Sequence, residues 1–227
     1  MAAGSDASQG EGSSSERQAR PGFSGISGIS GISGMSGMSG VSGMSGVGSF
    51  TGFLSAIHIA PGASAPMVTL DEAELVAGVG LVGDRYATRT GTYSKRHHID
   101  RQVTLIEGET LDALARDHGI DLAPEEHRRN LTTRGVPVAH LVGKYLQVGE
   151  CVLFGGRLNV PCRYLQDLLG RQVFRPLIHR SGLNGRVVVG GKITPGDLIR
   201  LVDPDELPPG VVAANEQHPL ERPPEAW

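Results

Sequence analysis

Cysteine is nearly absent: Cys151 and Cys162 are the only two in 227 residues. Two thiols exclude a disulfide framework, because one bridge is the most they allow. A reducing cytoplasm is the simplest setting for them. There is no Cys-x-x-Cys, and none of the eight histidines has a paired spacing with either cysteine, so a structural zinc site is not expected. Walker loops and Gly-x-Ser-x-Gly elbows are missing too. Gly78 and Gly80 lack the strand-then-helix context of a dinucleotide fingerprint. No stretch approaches the roughly 18 consecutive apolar residues of a membrane helix. The first twenty residues hold no apolar run, so a secretory signal is not expected either.

Charge of one sign is also scarce. The formal net charge is −3, and it is unevenly spread. From Phe50 to Asp203 there are 18 Lys+Arg, mostly arginine, against 16 Asp+Glu; from Pro204 onward there is one arginine against five acids. A field this weak does not point to nucleic acid. Arginine forks do suit a small anionic ligand, because their geometry matches phosphate oxygens.

What is abundant is glycine, with 33 residues, many of them in one repeat. Residues 24–47 are eight Ser-Gly-apolar triplets. The period is neither 2 nor 3.6, so no face forms for a strand or helix to bury. Without Pro in the triplets, a collagen helix is poorly preorganised. Residues 1–49 are therefore expected to be a disordered arm. The Pro-rich, acidic segment 204–227 is expected to be disordered for the same compositional reason.

Between the tails, residues 50–203 read as one domain. "FLSAIHIA" alternates like a strand and ends at Pro61-Gly62. "RQVTLIE" is a β-branched strand running into "GETLDALARDHG", a helix with Leu111, Leu114, Ala115 and His118 on one face and Gly119 as its cap. "KYLQVGE", "CVLFGGRLNV", "GRVVVGG" and "DLIRLV" follow as short strands, with Asn184-Gly185 and Pro195-Gly196 as turn signals. "RYLQDLLG" and "VFRPLIHR" read as short helices. Many closely spaced strands with few helices give a mainly β fold, a barrel or strongly curved sheet.

Three constellations stand out. "NVPCRYL" places Cys162 after a rigid proline, beside Arg163 and at the start of a short helix. Adjacent positive charge and a helix start both favour thiolate, the reactive form; burial as a small hydrophobe is the alternative. Nothing in the sequence places a histidine beside Cys162 for a hydrolase. Cys151 opens an apolar strand with no adjacent base and reads as packing. "RRNLTTRG" supplies fixed donors at Arg128, Arg129 and Asn130, for phosphate and for ring amide edges, or else forms a solvated turn. In "GDRY", Asp84 is placed to orient Arg85; Asp100 and Arg101 read as a surface pair, and His97-His98 as loop surface.

Taken in order, "GLVGDRYA", "RQVTLIEGETLDAL", "RRNLTTRGV", "VGKYLQVGECVLFG", "NVPCRYLQDLLG" and "HRSGLNGRVVVGGKITPGDLIRLV" resemble the MOSC domain, named for the C-terminal domain of molybdenum cofactor sulfurases. The resemblance covers about residues 52–202, and its specificity lies in Arg-Asn-Leu followed about thirty residues later by Pro-Cys. It implies a β-barrel-like fold with flanking short helices, as in stand-alone bacterial members. It implies that Cys162 is the reactive centre, either ligating molybdenum in the molybdopterin cofactor or carrying a persulfide. Arg128, Arg129 and Asn130 would contact the pterin and its phosphate, with Asp84, Arg85, Arg101 and Arg163 as further contacts. The implied function is an oxidoreductase that reduces N-hydroxylated compounds, or alternatively a sulfur or cofactor carrier. Partners would then be a small-molecule substrate, with a separate electron-donor reductase or a cysteine desulfurase. A pyridoxal-phosphate sulfurase domain, as in larger relatives, is not expected, and residues 1–227 hold no flavin, haem or iron–sulfur motif.

Overall fold

The computed structural model describes residues 50–220; the arm expected over residues 1–49 and the end of the tail, 221–227, lie outside the described residues. In chain order the elements are β1 (Gly52–Ile59), β2 (Val68–Leu70), β3 (Ala73–Val76), β4 (Gly80–Leu81), β5 (Val103–Glu107), α1 (Gly108–His118), β6 (Leu131–Arg134), β7 (Tyr145–Val148), β8 (Cys151–Leu158), α2 (Arg163–Leu169), β9 (Leu183–Val189), β10 (Gly191–Ile193), β11 (Leu198–Val202) and α3 (Val211–Glu216).

Seven strands close into a barrel in the order β1-β6-β5-β9-β8-β7-β11, with β11 returning to β1 through Gly52↔Ile199 and Phe53↔Leu198. Closure leaves those strands no open edge, and β2 pairs outside the ring on β1. All ring pairings are antiparallel except β5 with β6, which is parallel and is bridged by α1. A parallel pair needs such a crossover, because a tight turn cannot reverse the chain twice. β10, β3 and β4 form a separate small sheet.

Every barrel strand sends apolar side chains into one core: Leu54 and Ile57 from β1, Leu131 from β6, Leu105 from β5, Leu183 from β9, Cys151 and Leu153 from β8, Leu146 from β7 and Ile199 from β11. Alternation along each strand makes this filling work. A bulge at Gly155/Arg157 re-aims the end of β8. Gly156 is required there, because a Cβ would sit 2.1 Å from Cγ of Asp100.

A second cluster lies beneath the helices: Leu114 from α1 and Leu165 from α2 meet Leu122, Val173 and Leu177. Gly119 ends α1 in the left-handed region at φ 62°, as the sequence suggests. The buried face of α1 runs through Thr110 and Leu114, while Ala115 and His118 are exposed.

Three sequence expectations give way. "VFRPLIHR" forms successive turns and no helix, because Pro176 has no N–H to donate and His179 takes φ 64°. Asn184-Gly185 is not a turn; both lie inside β9, where Gly185 pairs with Val103 and Gly155. Segment 204–220 is structured, with a 3-10 turn at Pro204–Glu206 followed by α3. Asn215 supplies the reason: its O and Oδ1 accept from buried Arg186 at 3.3 and 2.9 Å, and its Nδ2 donates to Tyr145 at 3.0 Å. Leu207, Val212 and Leu220 then cover Tyr145, Val152 and Phe154. Composition alone missed this apolar and polar anchorage.

Candidate functional site

Strand β8 ends at Leu158, and Asn159-Val160-Pro161 carries the chain to Cys162, the residue that caps α2 at φ −130°, ψ 148°. Its side chain makes no capping hydrogen bond. The thiol is half-buried: one side packs against the cluster under the helices, and the other lines a cavity of about 160 Å³.

Arginines form much of the cavity's remaining wall. Arg85, Arg101, Arg128, Arg129 and Arg157 all line it. Arg129 is buried, with Nε donating to Ser181 O at 3.0 Å, Nη2 to Ser181 Oγ at 2.7 Å and Nη1 to His127 O at 3.2 Å. Arg128 takes φ 60° and donates from Nη1 to Ala65 O at 2.7 Å. Arg85 donates to Asp84 Oδ1 at 3.0 Å and to Arg128 O at 3.1 Å. Asp84 does orient Arg85, and its other oxygen accepts from Tyr86 N at 3.0 Å.

Among the described residues the partners of Arg128 and Arg129 are uncharged oxygens, and Arg157 Nε is buried with no hydrogen-bond partner. Their charge is therefore not cancelled locally, and a buried uncancelled charge is costly unless an anion meets it. Burial lowers the Arg129 pKa to about 10, a shift that the neighbouring Cys162 opposes. Burial also lowers Arg128, helped by the nearby Arg85 charge. The cavity is a cationic site with a sulfur on its wall.

Two sequence candidates stand behind the wall. Asn130 is fully buried; its Oδ1 accepts from Thr104 N and Oγ1, and its Nδ2 donates to His58 O at 3.1 Å. Its amide thus joins β5 to β1. Asp84 is likewise buried behind Arg85. Arg163 is exposed and is not part of the lining, since the first turn of α2 points it outward.

Sequence reasoning missed Tyr86, Thr92, Tyr93, Thr104, Arg157, Asn159, Tyr164 and Asn184, all on the cavity wall. Arg157 and Asn159 were reachable by counting along β8 from Cys162. Tyr93 had no such signal. It shares the cavity wall with Cys162, and burial first and that neighbour second push the phenol up to about 12. Behind the site, His58 and His127 pack edge to face at 5.5 Å. Burial lowers the pKa of both, well below the ordinary value for His127. His127 Nδ1 accepts from Arg129 N at 2.9 Å, which makes Nε2 the donor to Thr132 Oγ1.

The family model of the MOSC domain matches residues 73–200, which include barrel strands β5 to β9, the start of β11 and the cavity lining. This chain belongs to the MOSC domain family. The YuaD protein of Bacillus subtilis superposes with a TM-score of 0.57 at 19% identity, covering 68% of this chain and 97% of that one. YiiM of Geobacillus stearothermophilus gives a TM-score of 0.50 at 18% identity, covering 74% and 84%. Both likenesses are of fold. No curated protein matches the chain. The MOSC domain is associated with the molybdenum cofactor. No helix among the described residues is long and apolar enough to cross a membrane.

Proposed function

We propose that this MOSC domain holds the molybdenum cofactor in the arginine-lined cavity, with Cys162 as its protein sulfur ligand, and reduces N-hydroxylated compounds. One observation carries the reading: a half-buried thiol opens onto a cavity in which the buried Arg128 and Arg129 meet uncharged oxygens and no carboxylate. The residues fit the group by donor chemistry. A thiolate is the soft side-chain donor that molybdenum takes, and uncancelled guanidinium groups match a phosphate. The described residues contain no cluster of three or more His, Cys, Asp or Glu suited to a metal, so the cofactor would bring its own remaining donors.

When bound, the cofactor supplies the two-electron redox chemistry. The chain supplies position and charge. Arg128, Arg129 and Arg157 would hold the anionic group, and Asp84 fixes Arg85 beside them. Tyr93 holds a proton beside the sulfur, since its phenol stays protonated at neutral pH. Electrons come from a separate reductase.

The test is to purify the chain from molybdate-fed cells and measure metal and pterin by mass spectrometry. Wild type should carry both. Cys162→Ser should lose molybdenum, and Arg129→Ala should lose pterin and molybdenum together. A wild type with neither overturns the reading. A mass gain of one sulfur atom, confined to Cys162 after incubation with a cysteine desulfurase, would assign the carrier role instead.

A further inference from the structure

Residues 91–98 run past Cys162 without forming a helix or strand, and none of them is buried. Both of their ends are fixed. On one side, the buried Asp84–Arg85 pair closes a turn in which Arg85 O accepts from Thr90 N at 2.8 Å and Gly91 N at 3.0 Å. On the other, Asp100 is fully buried against Arg186 and starts into β5 through the 3-10 turn Ile99–Arg101. A segment with fixed ends and no fully buried side chain opens more readily than the core, because few apolar contacts are lost when it lifts.

Arg101 and Tyr164 are among the groups that tie it to the body. The Arg101 guanidinium donates from one nitrogen to Tyr93 O at 3.0 Å and to Arg96 O at 2.9 Å, and it stacks on the Tyr93 ring at 5.4 Å. The Tyr93 ring meets Tyr164 edge to face at 6.4 Å, and Tyr164 is itself held by Ser64 at 2.9 Å. Tyr93 lies on the cavity wall with Cys162.

We propose that residues 91–98 are a lid over Cys162, that Tyr93 is the side chain that covers the sulfur, and that Arg101 is the latch. When the lid lifts, the Arg101 bonds and the Tyr93–Tyr164 contact break together, and the cavity opens to solvent beside the thiol. The lid gates access to the sulfur whatever ligand the cavity takes. A chain that binds no molybdenum tests it equally well.

The experiment uses the full chain, expressed without added molybdate, at one fixed pH. Two rates report the same opening: labelling of Cys162 by a maleimide, and trypsin cleavage after Lys95 or Arg96, both exposed in the middle of the segment. In wild type both should be slow relative to the unfolded chain. Arg101→Ala should raise both by about tenfold, since it removes two charge-assisted hydrogen bonds and a stacking contact. Tyr93→Ala, at an exposed position that folding tolerates, should raise labelling by a similar factor. Tyr93→Phe should stay within about twofold of wild type, because the covering ring remains. Wild-type labelling as fast as in the unfolded chain overturns the lid. So does an Arg101→Ala or Tyr93→Ala protein that labels at the wild-type rate, or an Arg101→Ala protein with faster labelling but unchanged cleavage.

Discussion

Asn130 Oδ1 accepts two hydrogen bonds from Thr104, one from its amide at 3.1 Å and one from its hydroxyl at 2.8 Å. The rest of the Asn130 amide donates to His58 O at 3.1 Å. One side chain therefore ties the segment Arg128–Asn130, which leads into β6, to β5 and β1, and sets the register at which the two arginines enter the cavity. Asn130→Ala leaves buried donors and an acceptor unmet, and is expected to cost about 2–4 kcal/mol of stability. Urea unfolding measures it. Loss of ligand binding with unchanged stability would contradict this bracing role.

The Asp84 carboxylate is fully buried and accepts from Ala60 N at 3.2 Å, Tyr86 N at 3.0 Å and Arg85 Nη1 at 3.0 Å. Asp84→Ala strands a buried guanidinium, for which about 3–5 kcal/mol is the usual cost. Asp84→Asn keeps the shape and should cost less. Thermal melts of the two variants rank them.

Stability should fall in mild acid. His58 and His127 are buried with pKa values lowered chiefly by that burial. Unfolded, they titrate near the ordinary value of about 6.5, so below that pH the unfolded chain binds more protons than the folded one. Their neutral burial costs nothing above about pH 6.5 and destabilises progressively below it, by at most about 1.4 kcal/mol for each at pH 5.5. Urea midpoints at pH 7.5 and 5.5 read the loss, and His127→Gln should reduce it.

The two thiols should separate in native labelling. Cys151 is sealed in the barrel core, where burial first and the Glu150 and Asp197 charges second push it up to about 11. Cys162 lines the cavity. Intact mass after prolonged native labelling should show one adduct per chain, on Cys162, and two only after unfolding.

Removing the Asn215 side chain should release the C-terminal segment. Asn215→Ala deletes the bonds to Arg186 and Tyr145 and is expected to cost about 1–3 kcal/mol. Faster hydrogen exchange confined to residues 204–220 and the facing ends of β7 and β8 would mark the release.

Alternation made β1 legible, and short β-branched or apolar runs made β5, β7, β8, β9 and β11 legible, because a strand's need for apolar packing is recorded locally. Gly119 was legible as a cap because only glycine takes its backbone angle cheaply. The Pro-Cys junction and the Arg-Asn pair were visible as chemistry. What could not be read is which of those side chains face the same space. Asn130 carries the same motif as Arg129, yet its amide is consumed by β5 and β1, while Arg129 reaches the cavity wall. Tyr93 and Cys162 are far apart in sequence, and only the tertiary fold puts both on one cavity wall. The tail misled for the converse reason: its composition is polar, but Arg186 in the barrel gives its Asn215 a buried partner. Local pattern thus determined the strands, the caps and the candidate groups. The cavity and its uncancelled charge were decided by long-range pairing, because a site is defined by distances that no stretch of chain encodes by itself.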